Sequence, residues 1–494
     1  ACRRGGGGPP RGALAGVVKV LGGEAGATPE SPMCDLDYEK NRGFFHYFLK
    51  ILGIMKKIAV FFTIKEDWMS AAGHGYRTLK SIFHERDEAA VQAELQARRH
   101  SYCTYHLNEF KVRGHPMFYL VDRTVLAHYD RIMVRERNIE QLSSRLPGVA
   151  MRSYLSDLAV RSIVATDSIE GVHTTRRLIS EALTSGDSED PRAKRAVEFM
   201  NLLNTLGERR PPDTVEEVRN LYDTLLEGHL DDENRLDGAL FRAGPVRITS
   251  GTKVVHKPPM GEEAITANIQ AALDHALDPC VPALFSAIIA HFMVEYTHPF
   301  YDGNGRFGRY LLASHMVRVL SRLTALTLPS TLNLHKERYY KAFSDAEELL
   351  NYGEVTTFLH AFLELIEKAQ EYLEKELATR YEALVSLNKR TAELNQNHEW
   401  LKDEAAKNQK KVDSLLDLLH LLGQANIFRA PVAPTSSELQ DALGVTAPTL
   451  RDRLKLLQGL GFVEGVKAGR TMRWSLTEAG TTLLGLPAVE DDEE

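Results

Sequence analysis

The stretch His298-Pro299-Phe300-Tyr301-Asp302-Gly303-Asn304-Gly305-Arg306-Phe307-Gly308-Arg309 concentrates groups that can do chemistry together. Gly303 and Gly305 flank Asn304, so the backbone can turn tightly and bring its N–H groups toward a ligand. A helix that opens directly after such a loop is an anion site, because its unpaired N–H groups and its dipole point the same way. Arg306 and Arg309 are three apart and share a helix face, where both can hold one anion. Asp302 beside the glycines is placed to hold Mg²⁺ on bound phosphates. His298 can accept a proton near neutral pH, and Pro299 restricts the chain that carries it. A base, a metal ligand, an anion nest and two arginines point to phosphoryl or nucleotidyl transfer.

The flanking sequence supplies the elements that position this loop. Val281 to Tyr296 is almost continuously apolar and predicts a buried helix ending just before His298, and a second buried helix is expected from Arg306 to Leu320. Asp122–Leu146 and Ala150–Glu170 carry apolar residues at three- and four-residue spacing, with Gly171 where a helix C-terminus is expected. Further helices are expected at Lys194–Leu206, Thr214–Gly228 and Ala264–Leu277. Ala243 to Lys257 holds Val246, Ile248, Val254 and Val255 around Ser250-Gly251, which predicts a β-hairpin. Ser101–Phe118 mixes aromatic and polar residues and is expected to dock the N-terminal part onto the core. After Thr356 a helical stretch runs to about Gly423. Its charge-rich middle, Glu371–Lys411, reads as a solvated connecting helix or a dimerising one. Ser436–Leu443, a turn at Gly444-Val445-Thr446, Pro448–Leu460 and a two-stranded run Phe462–Leu476 containing Gly465 and Gly469 predict a winged helix.

The chain has 494 residues, 43% hydrophobic and 26% charged, with a formal net charge of −7. That length accommodates two or three domains, and the charge excludes a chain-wide nucleic-acid coat. Cys2, Cys34, Cys103 and Cys280 lie far apart without metal-ligand spacing and read as free thiols of a cytoplasmic protein. Phe44–Ile64 is apolar but interrupted by Lys50, Lys56 and Lys57, so no membrane span is expected, and the run from Met55 is too short for a signal peptide. The division expected is 1–68 as a disordered or spurious extension, 69–190 as an N-terminal helical region, 191–365 as the catalytic core, 366–423 as connecting helices, and 424–494 as a winged-helix domain with an acidic tail.

The His298–Arg309 stretch resembles the Fic family signature HxFx(D/E)GNGRxxR, matched at every defining position. The resemblance implies a mainly α fold: an all-helical Fic core with a small β-hairpin flap, plus a C-terminal winged helix-turn-helix domain. It implies a protein adenylyltransferase that moves AMP from ATP, with Mg²⁺, onto a Ser, Thr or Tyr hydroxyl of a protein. His298 would deprotonate the hydroxyl for attack on the α-phosphate, and Asp302 would bind Mg²⁺. Gly303, Asn304 and Gly305 would line the anion hole, and Arg306 and Arg309 would hold the outer phosphates, with Phe307 and Gly308 completing the nucleotide-binding stretch. A kinase-like branch of the family replaces the second glycine by lysine, so Gly305 favours AMP transfer. Val246, Arg247, Ile248 and Thr249 would form the flap stretch that pairs with the target backbone. Tyr339 and Tyr340 resemble the tyrosine pair near the adenine pocket.

Thr166-Asp167-Ser168-Ile169-Glu170-Gly171 resembles the family's inhibitory pattern (S/T)xxxE(G/N). Glu170 would then pair with Arg309 and hold ATP in an unproductive pose, with Thr166 steadying the helix end, and Glu170 could also serve AMP removal by positioning water. Ser436–Gly480 holds six Lys/Arg against five Asp/Glu, a difference of +1, so DNA binding by the winged helix has weak electrostatic support and protein docking stands beside it. Two rival readings stay open: a nucleotide-sensing transcriptional regulator, and transfer of another phosphate-linked group such as UMP or phosphocholine.

Overall fold

A computed structural model of the chain describes residues 76–185, 191–226, 235–250, 253–401, 408–468 and 471–487. The expected extension over 1–68, Cys2 and Cys34, Gly251, Gly469 and the acidic tail lie outside these residues.

The described part is mainly helical with three small antiparallel hairpins. Its centre is α9, Ala283–Thr297, in which every residue from Leu284 to Val294 is buried; a helix that is apolar all round has no face for water. Against it lie α8 (Glu262–Leu277), α10 (Asn304–Met316) and α13 (Thr356–Gln396). A second layer pairs α4 (Gly148–Ile169) with α11 (Arg322–Leu334), and α13 with α3 (Arg123–Ser143). Asp122 caps α3, its carboxylate accepting from the Val125 N–H at 2.8 Å.

The packing gives one expectation its form and corrects another. Within Ser101–Phe118 the chain forms most of a β-hairpin, β1 (Thr104–Val112) and β2 (His115–Leu120), turned by Arg113 and Gly114 with φ of 51° and 86°. Positive φ at both turn residues matches the strand twist. The helical stretch after Thr356 is broken: α13 stops at Gln396, and α14 (Gln409–Ile427) returns along it. Leu384, Leu387 and Leu394 are buried, and Gly423 of α14 sits against Leu387, so the leucine stripe is covered by the same chain instead of facing solvent.

The inhibitory-pattern helix α4 is fastened at mid-length. Asp157, fully buried, pairs with Arg176 from the start of α5 (Arg176–Ser185), with Arg161 at 3.0 Å and with Arg380 of α13 at 3.4 Å. Arg380 also donates to the Ile427 carbonyl at 2.8 Å, and Arg176 to the Arg429 carbonyl at 2.6 Å. Two arginines rooted around one carboxylate thus cap the end of α14. Beyond it come α15 (Ser436–Leu443), with a capping box of Thr435 and Glu438, then α16 (Ala447–Gly459) and the antiparallel pair β5 (Val463–Ala468) and β6 (Thr471–Leu476). Trp474 on β6 donates to the Ser436 hydroxyl at 2.9 Å, tying the sheet to the first of these helices. Among the described residues no helix is long and apolar enough to cross a membrane.

Candidate active site

The site is built where α9 ends and α10 begins. His298 is the C-terminal cap of α9 with φ 51° and ψ 62°, a left-handed conformation uncommon for a residue with a side chain. Such a conformation persists only when its surroundings hold it. Arg242 does so: its fully buried guanidinium donates to the carbonyls of His298 (2.7 Å), Gly244 (2.7 Å), Pro259 (2.9 Å) and Thr297 (3.2 Å). Its own N–H donates to the Pro299 carbonyl at 3.1 Å.

Asn304 braces the other side of the loop. Its side chain accepts from the Phe300 N–H at 2.9 Å and donates to the Phe300 carbonyl at 2.8 Å. The expected anion-hole role of Asn304 can therefore involve its backbone only, because the amide is spent on closing the loop. Phe300 stacks on Tyr222 of α7 (Val215–Leu226), and the Tyr222 hydroxyl donates to the Asp302 carbonyl at 3.1 Å. Gly303 has φ 74°, and a Cβ there would lie 2.4 Å from Leu226, so only glycine fits on both counts.

At the N-terminus of α10, Asp302 is half-exposed and Arg306 is buried, 3.3 Å apart. Arg306 Nε and Nη1 are buried without a hydrogen-bond partner. Orphaned guanidinium N–H groups beside free helix N–H groups fit a bound phosphate chain. Among the described residues no group of three or more His, Cys, Asp or Glu could hold a metal by protein ligands alone. One half-exposed carboxylate beside a phosphate site suits Mg²⁺, which keeps waters and takes phosphate oxygens.

Arg309 is turned the other way, toward α4. Its Nε donates to the Thr166 hydroxyl at 2.9 Å, and Nη2 to the Thr166 carbonyl at 3.2 Å and to Glu170 Oε1 at 2.7 Å. The guanidinium is 3% exposed and the Glu170 carboxylate 27%. Glu170 ends α4, and Gly171, with φ 76°, closes it, the N–H groups of Gly171 and Val172 donating to the carbonyls of Ser168 and Asp167. Gly305 leaves room for this contact: a Cβ there would lie 2.0 Å from Glu170 Oε1.

A cavity of about 950 Å³ opens from His298, Gly305 and Arg309 toward α12 (Lys336–Ala346). Tyr339 and Tyr340 both border it, with different tasks. Tyr339 is buried and its hydroxyl meets His291 Nε2 at 3.0 Å, while His291 Nδ1 donates to the Gly308 carbonyl at 3.1 Å. Tyr340 donates to the Ile169 carbonyl at 3.0 Å, and Lys336 to the Ser168 carbonyl at 3.1 Å, so α12 grips the end of α4. Phe307 is buried in the aromatic cluster with Phe300 and Tyr222.

The expected hairpin is present as β3 (Ile248–Ser250) and β4 (Lys253–His256), with Thr249 opposite Val254. Val246 and Arg247 precede β3, Arg247 exposed, and Ile248 borders the cavity. His256 anchors the hairpin: Nε2 lies 2.8 Å from the Tyr296 carbonyl and Nδ1 2.6 Å from Glu347 Oε2. Arg113, from the β1–β2 turn, reaches the same carboxylate at 3.1 Å.

Burial removes the charge from His298 and His291. His298 is pushed down to about 4 by desolvation, with Arg242 adding to the effect, and His291 to about 3 by desolvation and Arg309. His298 is therefore neutral at physiological pH and able to take a proton. Arg242, Arg113, His256, Glu295 and Glu347 were not singled out in the sequence. They sit outside the signature, and nothing in spacing or composition separates them from surface charges.

A helical domain with a histidine before a glycine-rich helix N-terminus, a cavity and a covering hairpin is what these residues form. Residues 212–316 match the Fic/DOC family model, and that stretch of the chain is a Fic/DOC domain. Members of this family typically transfer AMP or other nucleotidyl groups to proteins. Similar solved structures include a Fic family protein from Desulfovibrio desulfuricans G20 (18% identity, TM-score 0.43, covering 73% of this chain and 98% of that one). A fragment of Fic-1 from C. elegans is similar at 16% identity and TM-score 0.41, covering 62% and 81%. A Fic domain containing signaling protein from Bacteroides thetaiotaomicron VPI-5482 is similar at 16% identity and TM-score 0.38, covering 52% and 97%.

Proposed function

We propose that the chain is a protein adenylyltransferase restrained by Glu170. The observation that carries this reading is the neutral His298, which lines one cavity with Gly305 of the α10 N-terminus, next to which Arg306 keeps partnerless guanidinium N–H groups. The hydroxyl oxygen of a target side chain attacks the α-phosphorus of ATP while His298 accepts its proton. The bond from that phosphorus to the oxygen bridging to the β-phosphate breaks, and pyrophosphate leaves. Arg306 and Gly305 lie where the phosphate chain enters, and Asp302 would hold Mg²⁺, which when bound neutralises charge on the phosphates. Arg309, needed by the outermost phosphate, is occupied by Glu170. The β3–β4 hairpin offers an edge strand to the target, and Glu170 is also placed to orient water for AMP removal.

The test is transfer of label to protein from α-labelled and γ-labelled ATP with Mg²⁺. Label from the α position only, absent in His298→Ala, is expected; label from the γ position would replace AMP transfer by phosphate transfer. A second reading, a nucleotide-sensing regulator that binds DNA through a winged helix, draws on the exposed Arg451 and Lys455 on α16. A salt-sensitive gel shift with duplex DNA together with no transfer in any variant is the result that favours it.

A further inference from the structure

Glu295 is a carboxyl group in the cavity with no assigned task. It lies on α9 three residues before His298, and it lines the cavity with His298, Gly305 and Arg309. Its side chain makes no hydrogen bond or ion pair with any described residue, and Oε1 is buried without a partner. A Cβ added at Gly308 would lie 2.1 Å from that oxygen, so the carboxyl rests on the α-carbon of the glycine just before Arg309. The charged and titratable groups around it are Arg309 on α10, Glu170 at the end of α4, Tyr339 and Tyr340 on α12, and His298 at the end of its own helix.

We propose that Glu295 is a nucleotide-contacting residue, a neutral carboxylic acid whose O–H donates to the phosphate chain of the bound nucleotide. The inference rests on the cavity being a nucleotide site. An ionised carboxylate buried without a partner is costly, whereas the neutral acid costs far less and gains a donor. Desolvation pushes Glu295 up to about 8, Glu170 adds to the rise, and Arg309 opposes it. The group therefore holds its proton at neutral pH. That proton meets no acceptor among the described residues, and a phosphate oxygen is an acceptor without a competing proton. Arrival of a polyanion keeps the acid protonated, because like charge disfavours ionisation.

Mg²⁺-ATP binding to the full chain carrying Glu170→Gly tests this by calorimetry in buffers of different ionisation enthalpy, at about pH 7 and about pH 9. Binding at the higher pH is expected to take up a proton, and affinity to fall about tenfold per pH unit above the pKa of Glu295. Adding Glu295→Gln is expected to abolish the uptake and to make binding at about pH 9 tighter than in the parent by roughly tenfold or more, since the parent lacks Glu170, one cause of the raised pKa. Gly308→Ala, whose methyl group displaces the carboxyl, is expected to abolish the uptake as well. Proton uptake that persists in Glu295→Gln would overturn the proposal. So would weaker binding by that variant at both pH values, which would make Glu295 a counter-ion of Arg309. Label transfer from α-labelled ATP is read in parallel: uptake without transfer removes the transferase reading alone, and transfer without a Glu295-dependent uptake removes this inference alone.

Discussion

Replacing Glu170 by glycine should convert a restrained enzyme into an active one, and the contact geometry sets the size of the gain. Glu170 gives Arg309 one charge-assisted hydrogen bond of 2.7 Å, between a guanidinium 3% exposed and a carboxylate 27% exposed. Hydrogen bonds to charged groups contribute about 1.5–3 kcal/mol net. A γ-phosphate that must displace the carboxylate binds productively weaker by that amount. At about 1.4 kcal/mol per tenfold, the gain on removal is roughly 10- to 150-fold. Arg309 itself stays in place, because Thr166 still accepts from Nε at 2.9 Å and through its carbonyl at 3.2 Å. The substitution also empties the space beside Gly305, where Oε1 lies 2.0 Å from the position of a Cβ. Glu170→Gln, which keeps an acceptor but loses the charge, should fall between wild type and Glu170→Gly. The assay is initial-rate labelling of protein from α-labelled ATP with Mg²⁺ at sub-saturating nucleotide, beside the affinity for ATP. Equal rates and affinities in wild type and Glu170→Gly would refute the reasoning, since Arg309 would then not be the contested group.

Three further outcomes are expected. Gly305→Ala places a methyl group on the Glu170–Arg309 contact and should destabilise the fold by about 1–3 kcal/mol, read by chemical denaturation, yet give no gain in labelling because the methyl fills the phosphate space. Arg242→Met strips the donor from four carbonyls and should cost about 3 kcal/mol or more, with loss of labelling as His298 leaves its left-handed conformation; a stable, active variant would show that the brace is dispensable. His275, His298 and His315 are pushed down to about 4, and His291 to about 3, by burial. Unfolded histidines bind protons near pH 6.5, so between there and about 4 the unfolded state holds more protons than the folded one. Thermal stability should therefore fall as pH drops through that window, and a flat melting temperature from about pH 6.5 to 4.5 would contradict it.

The His298–Arg309 loop was legible in the sequence because its chemistry is contiguous: His298, Asp302, Gly305, Arg306 and Arg309 fall within one short stretch, and the spacing encodes the shape. Glu170 became legible through a short pattern, and its partner lies 139 residues away. The helices were readable from periodicity, most within a few residues of their ends. What escaped is what depends on closure in space. Arg242 looks like any loop arginine until four carbonyls surround it. Glu295 is the one acidic residue in an apolar helix, and its meaning rests on Gly308 one helix away. The β1–β2 hairpin was hidden because β2 is buried at most of its positions, which erases the alternation that marks a strand, and its Arg113-Gly114 turn is a weak signal. The break in the long helix was missed because no proline or glycine marks it. Asn397 ends α13, and the reversal is secured by leucines whose partners lie on α14.

The fastening of α4 to the end of α14 has a consequence for how this architecture can change over time. Arg176 and Arg380 hold the C-terminal helices by the carbonyls of Arg429 and Ile427, not by their side chains. Every residue type offers the same carbonyl, so substitutions at 427 and 429 that keep the backbone path leave both bonds intact. The residues of α15, α16 and β5–β6 that face outward can drift toward new binding partners while their grip on the helix bearing Glu170 is inherited unaltered. Variability is thereby confined to one end of the joint, and the determinants at the other, Asp157 and its arginines, are the ones with little freedom to vary.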